Sequence, residues 1–429
     1  MIKHKTLKNK QLFYSISIFL LLFGCTASEN STNKNVANMY VKGLNLINPD
    51  IKIFHKNDTL TEFHFRLNSE NILYTKKRGD STFSADIHIH YELLNKTTEQ
   101  LLDSSTISFK DFSENKVKKL LDGLINLSTQ PNKSYLLKIK FSDSSRDHFI
   151  KKNIILNRLN MNNPQNYLIT NKLGDVFFNN YFKTNDEINI LKNESNLQES
   201  IIVKYYSTNL PLARPPFAVD NEKKEEEVNY EAKTVSTIYF DSLNTSSYTI
   251  TERGLYHFQT SDNDKEGFTL FNFEENFPLV KSIKNMVGPM RYISSKKEYA
   301  LLKNSKDKKT AMDNYWLNIA GSNDRARVLI KEYFDRVENS NKHFTSFLEG
   351  WKTDRGIIYV IYGAPNVVYK NKEYENWIYG EENNMMSTSF IFYKVKNTIS
   401  NNDFRLNRST SFKSSWYRAV DSWRSGRIY

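Results

Sequence analysis

The residues with types and spacings suited to chemistry are few. Glu349 and Asp354 lie five positions apart, and two carboxylates held at a fixed separation can divide acid and base roles, as in glycoside hydrolysis. His88 and His90 alternate along one stretch, so both imidazoles project from one face of a strand, a spacing common among zinc ligands. His64 is a candidate third ligand. The sequence contains no GxSxG, HExxH, GxxxxGK[ST] or GxGxxG, which removes the usual contexts for a serine nucleophile, a zinc protease and nucleotide binding. His343 is the only histidine after His257, so His-based catalysis finds little material in the last third of the chain. The single cysteine, Cys25, excludes an internal disulfide framework, a CxxC redox pair and a cysteine zinc site. The expectation is a protein without cofactor, without bound metal and with no catalytic residue to assign.

A second set of residues suits binding. All five tryptophans fall at position 316 or later. Trp351, Trp377, Trp416 and Trp423, with Arg355 and Arg424, form a candidate contact set, because aromatic and arginine side chains dominate protein interfaces and aromatic faces stack on sugars. The net charge is +12. Four of those charges sit in the first ten residues, and the other lysines are interleaved with acids, as at Glu222–Glu227. No nucleic-acid-binding pattern accompanies them, so nucleic acid is not an expected partner.

These residues must be positioned by a folded body. Hydrophobic residues make up 39% and charged residues 25%, enough apolar material for compact cores. Residues 40–275 read as strands. Phe83, Ala85, Ile87, Ile89, Tyr91 and Leu93 alternate with polar residues, the period of a half-buried strand. Tyr135, Leu137, Ile139 and Phe141 repeat it. Shorter runs follow at 61–67, 199–206, 235–240, 255–259 and 268–273. One helix is predicted at 112–127, where Val117, Leu120, Leu121 and Leu124 share a face. The span divides near 157–164 into two β-sandwich-like domains, 40–157 and 164–277, with an exposed loop at Pro211–Pro216 in the second. After residue 278 the pattern changes to α+β. A capping box at Ser295 and Glu298 opens one helix. A second carries Ala311, Met312, Tyr315, Trp316 and Ile319 on one stripe. A third runs over 324–341 with Val328, Leu329, Tyr333 and Val337 inward. Gly356–Tyr362 reads as a buried central strand, apolar on both faces. Strands of an antiparallel sheet are predicted at 367–370, 377–379, 387–395 and 403–407, and a last helix places Trp416, Val420 and Trp423 on one face.

The ends of this pattern carry two resemblances. Four lysines precede the apolar run Leu12–Phe23, which is about half the ~20 residues that span a bilayer. It stops at Gly24-Cys25, which resembles the lipobox of bacterial lipoproteins. The resemblance implies removal of residues 1–24, lipidation of Cys25 and attachment to a membrane through it. Thr26, in place of Asp, implies the outer membrane, and the weakly acidic tether 25–39 implies its periplasmic face.

The run Gly350-Trp351-Lys352-Thr353-Asp354-Arg355-Gly356 resembles the signature of the GWxTD-domain family of Bacteroidota lipoproteins. Pro289–Ile293, His343–Ser346, Tyr362–Asn366, Trp377–Tyr379, Ser415–Val420 and Trp423–Gly426 extend the likeness across residues 278–429. The family implies a cell-envelope lipoprotein and no defined chemistry. From the residues themselves, Gly350 and Gly356 bracket a turn between a helix and a strand, Thr353 or Asp354 can fix it, and Lys352 and Arg355 flank Asp354 closely enough to pair with it. The motif is then either a corner that locks helix to sheet or a binding surface. The function expected is a non-enzymatic outer-membrane lipoprotein. Its two sandwiches would hold the C-terminal domain away from the lipid, where that domain docks a protein of the secretion, gliding or outer-membrane assembly machinery. The alternatives are a glycan- or peptidoglycan-binding lipoprotein and an envelope hydrolase.

Overall fold

The computed structural model describes residues 35–41, 47–76, 78–114, 118–146, 148–207, 212–219, 231–261, 266–397 and 399–429. The apolar run Leu12–Phe23, Cys25, the tether up to residue 34, Val117, Pro211 and the charged run Glu222–Glu227 lie outside these residues. Among the described residues no helix is long and apolar enough to cross a membrane.

The alternating stretches form two sandwiches with the same strand order. The first contains β1 (Asp50–His55), β2 (Leu60–Asn68), β3 (Phe83–Asn95), β4 (Leu101–Ser113), β5 (Leu120–Ser128), β6 (Ser134–Asp143) and β7 (His148–Asn157). Its sheets are β1-β2-β5 and β4-β3-β6-β7, antiparallel throughout. The inward residues of β3 and β6 meet Phe63, Phe65, Ile125 and Leu127 in one core. The second contains β8 (Tyr167–Thr170), β9 (Glu187–Lys192), β10 (Ser200–Tyr206), β11 (Thr234–Tyr239), β12 (Thr245–Thr249), β13 (Gly254–Gln259) and β14 (Gly267–Asn272). Its sheets, β12-β9-β8 and β11-β10-β13-β14, repeat the layout position for position. Each sandwich carries a tyrosine corner at the start of its sixth strand, as immunoglobulin-like sandwiches do. Tyr135 Oη accepts from Gln130 N at 2.8 Å. Tyr256 Oη accepts from Glu252 N at 2.7 Å and donates to Glu252 O at 2.8 Å.

The helix predicted at 112–127 is replaced by the end of β4 and by β5. Leu121, Gly123, Ile125 and Leu127 alternate inward, a period of two hidden by the i, i+3, i+4 coincidence of Leu120, Leu121 and Leu124. Leu120 and Leu124 are exposed. Gly123 leaves room for the Phe65 ring, which an added Cβ would overlap.

The C-terminal unit contains α1 (Ile283–Val287), α2 (Lys296–Asn304), α3 (Lys308–Ala320), α4 (Asn323–Phe344), α5 (Asp354–Tyr362), strands β15 (Val367–Lys370), β16 (Tyr374–Tyr379), β17 (Thr388–Lys394) and β18 (Phe404–Leu406), and α6 (Phe412–Arg424). The strands form one antiparallel sheet in sequence order. The capping box of α2 is present in full, Ser295 and Glu298 each bonding the other's backbone N–H. On α4 the buried stripe runs through Ala326, Leu329, Tyr333 and Val337. Val328 falls a third of a turn away and is exposed, against its predicted inward position.

Gly356–Tyr362 is not a strand but most of α5, whose nine residues are all buried. An apolar run this short and buried on every side has no readable period, and its β-branched residues favour the strand reading. The local signals at its start decide otherwise. The Thr353 hydroxyl caps the helix by accepting from Gly356 N at 3.1 Å, and Asp354 supplies a negative charge to the first turn.

The chain before the first sandwich also departs from expectation. The tether does not run free to residue 39, and Tyr40 does not open the first sandwich. Val36 N bonds Val368 O at 3.0 Å, Val368 N bonds Asn35 Oδ1 at 2.9 Å, and Ala37 and Tyr40 are buried in the C-terminal core.

Two buried histidines give the sandwiches a pH response. His55 bonds Thr61 Oγ1 at 2.8 Å and Asn157 O at 3.1 Å, and His257 bonds Thr269 Oγ1 at 2.9 Å. Burial, reinforced by Arg158 for His55 and by Lys204 for His257, pushes each imidazole down to about 4. An unfolded imidazole titrates near ~6.5. Their contribution is therefore fully present above that pH and is lost as the pH falls towards the folded value, because the unfolded chain takes up protons that the fold refuses. Hydrogen exchange in β1 and β13 should show protection falling between pH 7 and pH 5 by up to about 1.4 kcal/mol per pH unit per histidine. His55→Gln should flatten the slope in the first sandwich alone. A slope unchanged by that variant would refute the assignment.

Candidate functional site

The GWxTD run sits where α4, α5 and the sheet converge. Gly350 follows α4 and lies so close to the Ser340 carbonyl that an added Cβ would overlap it; Gly356 is pressed equally against the Gly350 carbonyl. Glycine is required at both places by this backbone-to-backbone approach. Thr353 joins the two, since its hydroxyl donates to Gly350 O at 2.8 Å while capping α5. Asn341 Oδ1 accepts from Trp351 N at 3.3 Å, and Thr345 Oγ1 accepts from Gly350 N at 3.0 Å, so the end of α4 holds the turn from below.

Asp354 and Arg355 pair away from each other. Asp354 accepts from Leu406 N at 2.8 Å and receives both terminal nitrogens of Arg408. Arg355, 2% exposed, donates to Glu375 Oε1 at 3.0 Å and to Asn402 O at 2.9 Å, and lies 4.0 Å from the Phe404 ring centroid. Asn402 in turn donates to His343 O and Thr345 O. Glu375 is 0% exposed. It receives Tyr40 Oη at 3.2 Å and Trp377 Nε1 at 3.1 Å, and Lys370 Nζ lies 2.6 Å away. Burial alone pushes its carboxyl up, but Arg355 and Lys370 together outweigh burial and leave it below the usual carboxylate range. The expected pairing of Lys352 and Arg355 with Asp354 is thus replaced. Lys352 pairs instead with Glu349, Nζ to Oε1 at 2.7 Å.

The candidate contact residues are mostly inside. Trp377 and Trp423 are fully buried and Trp416 is 5% exposed. Trp423 Nε1 donates to Ile361 O at 3.0 Å, and Trp377 packs on Phe392 and Tyr40. None of these three, nor Arg355, presents a face to a ligand. Trp351 is half-buried, edge-on to Tyr292 with ring centroids 5.9 Å apart, and it fills the space that Gly288 leaves without a side chain. Arg424 is exposed but engaged bidentately by Glu298 at 2.7 and 3.1 Å, tying α6 to α2. That contact holds the Glu298 carboxyl down to about 2.

The loop expected to be free also lies on this site. Residues 212–219 reach from the second sandwich across the motif, with Ala213 N on Lys352 O at 2.9 Å, Arg408 on Arg214 O at 3.3 Å, and Ser409 N on Pro216 O at 3.2 Å.

Chemically, Glu349 and Asp354 are both held by cations, Lys352 and Arg408, and neither stands free as an acid or base. His88 and His90 bond Ser108 and Thr106 on the neighbouring strand. His64 lies on the other sheet, bonded to Glu62, and its neighbours Phe63 and Phe65 face the core from the opposite side. The three imidazoles do not converge, and among the described residues no group of three His, Cys, Asp or Glu gathers to hold a metal ion. The residues that organise the site but escaped sequence reading are Glu375, Asn402, Arg408 and Tyr40. Glu375 had one signal: it shares the inward face of β16 with Trp377, where a charge is out of place unless paired.

Fold and site define a pair of immunoglobulin-like sandwiches joined to an α+β unit that is braced around a buried ion pair. Residues 254–425 match the model of the GWxTD domain, and this part of the chain belongs to that domain family. A search of curated proteins finds no match.

Truncating Arg355 takes from the Glu375 carboxylate its buried cation and leaves it with the partly exposed Lys370 and neutral donors. Arg355→Ala should destabilise the C-terminal unit by about 3–5 kcal/mol, while Arg355→Met combined with Glu375→Leu should cost much less. Denaturant unfolding of both variants decides this. Near-wild-type stability of Arg355→Ala would remove the brace from the account.

Proposed function

We propose that this protein is a non-enzymatic lipoprotein of the bacterial outer membrane that docks a protein of the envelope machinery, with the GWxTD motif serving inside the fold. The observation that carries the reading is the fate of the motif. Its glycines, threonine, aspartate and arginine are all committed to internal contacts, which leaves no free acid–base pair there for hydrolysis. The N-terminal lysines, the apolar run Leu12–Phe23 and Cys25 support the lipid anchor. Sugar stacking has lost three of its four tryptophans to the core.

The surface that suits a protein partner is β4. It is 13 residues long, lies at the edge of its sheet, and leaves Leu101, Leu102, Ile107 and Phe112 exposed. It has no proline and one lysine, so little on it blocks an extended segment of a partner from adding to the edge. At the other edge, β7 carries Lys151 and Lys152.

The tagged mature protein should fractionate with membranes and carry fatty acid, and Cys25→Ser should abolish both. Pulldown from solubilised membranes should recover one outer-membrane protein in stoichiometric amount, and Ile107→Pro on β4 should lose it while leaving the C-terminal unit folded. Retention on purified cell-wall sugar without any protein partner would overturn the docking reading.

A further inference from the structure

Asn35 Nδ2 donates to Asn366 O at 3.1 Å, and Asn366 Oδ1 accepts from Gly380 N at 2.8 Å. The incoming chain is therefore two hydrogen bonds from the loop joining β16 to β17. That loop, Gly380–Ser387, is compactly built. Asn383 adopts a positive φ of 64°, Asn384 Oδ1 accepts from Met386 N at 2.9 Å, Ser387 Oγ donates to Glu381 O at 2.7 Å, and Tyr369 Oη donates to Glu382 at 2.6 Å. This fixed turn displays two adjacent apolar side chains to solvent: Met385 is 100% exposed and Met386 82%. A single exposed apolar residue is ordinary; an ordered pair at a hairpin tip is not explained by chance exposure.

Cys25 lies ten residues before Asn35. Ten residues extend at most about 35 Å. That distance is shorter than a domain of this size, whose diameter is on the order of 40 Å. Resting on the reading that Cys25 is acylated, we propose that the Gly380–Ser387 loop lies on the lipid surface holding that acyl group, with Met385 and Met386 in contact with the interface. The GWxTD unit is then the membrane-proximal part, and the two sandwiches project away from the lipid, the reverse of the order the sequence implied. Glu381 and Glu382 share this loop with the methionines, so the surface that fits is a zwitterionic leaflet rather than an anionic one.

Methionine thioethers oxidise according to their access to solvent, which gives a direct readout. The acylated full chain in vesicles of phosphatidylethanolamine and phosphatidylcholine is compared with unacylated Cys25→Ser protein in buffer. Both are treated with peroxide, and sulfoxide at each methionine is followed by mass spectrometry. Met161, half-buried between the two sandwiches, is the internal reference. The expected result is several-fold slower oxidation of Met385 and Met386 on vesicles with Met161 unchanged, and weaker protection when anionic lipid is added. Equal oxidation in both samples, with the acylated protein still bound to vesicles, overturns the loop contact and leaves the lipoprotein reading standing. Protection seen in native membranes but not on vesicles assigns the loop to a protein and also overturns it. An intact mass without acyl chains removes the anchor itself.

Discussion

The C-terminal unit depends on one constraint: a carboxylate and a guanidinium taken out of water must find each other. Glu375 comes from the sheet, Arg355 from α5, Tyr40 from the start of the chain, and Asn402 from the segment before β18. Removing Glu375 takes from Arg355 its one carboxylate partner in an apolar core, where the penalty is several kcal/mol, while Tyr40 and Asn402 complete the hydrogen bonds of the two charges. The pair adds little as a net attraction, since desolvation offsets most of the Coulomb gain. What the pair does show is convergence: four separate parts of the sequence meet at the two charges.

The motif's spacing follows from the same packing. α5 must start immediately beneath the end of α4, so the connecting backbone folds onto itself at Gly350 and again at Gly356. Gly350, Trp351 and Lys352 form one 3-10 turn ahead of the helix cap, and Thr353 can then bond Gly350 O and Gly356 N with a single hydroxyl. Asp354 is the first helical residue and reaches across to β18 and Arg408; Arg355, one step of about 100° further around the axis, reaches the opposite way to Glu375. Consecutive charges of opposite sign thus brace the helix on two sides. The motif, read from sequence as either a corner or a binding surface, is a set of short-range demands imposed by a buried helix start.

Much of the fold was legible because strands buried on one face carry their geometry in alternation. β3 and β6 could be read residue by residue, and the capping box of α2 likewise. Two errors share a cause. At 112–127 and 356–362 the apolar residues satisfy both periods, and the deciding information lies elsewhere, in the Phe65 ring that needs Gly123 and in the Thr353 cap that starts α5. The brace was legible only in part. Arg355 was visible as a charge within a motif, but its partner is 20 residues away and Tyr40 is 335 residues from Glu375. No local pattern encodes such a contact, and a residue expected to open the first sandwich gives no hint that it closes a core on the far side of the sequence.

The extent of the matched domain makes physical sense once the sandwich interface is considered. The match begins at Gly254, the first residue of β13, inside the second sandwich and well before the change of composition near residue 278. β13 and β14 turn one face to their own core and the other to the C-terminal unit. Leu255, Phe271 and Phe273 pack there with Ile399, and Thr269 Oγ1 donates to Ile399 O at 2.7 Å. Because buried Thr269 also serves His257, the hydrogen bonds run from the sandwich into the segment just ahead of Asn402, and through Asn402 to Arg355. A hairpin that supplies one wall to the brace is under the same constraint as the brace, whereas the other five strands of that sandwich answer mainly to their own core. The boundary that matters for the GWxTD fold therefore falls within a sandwich, between β12 and β13, and the compositional break at 278 marks only where helices begin.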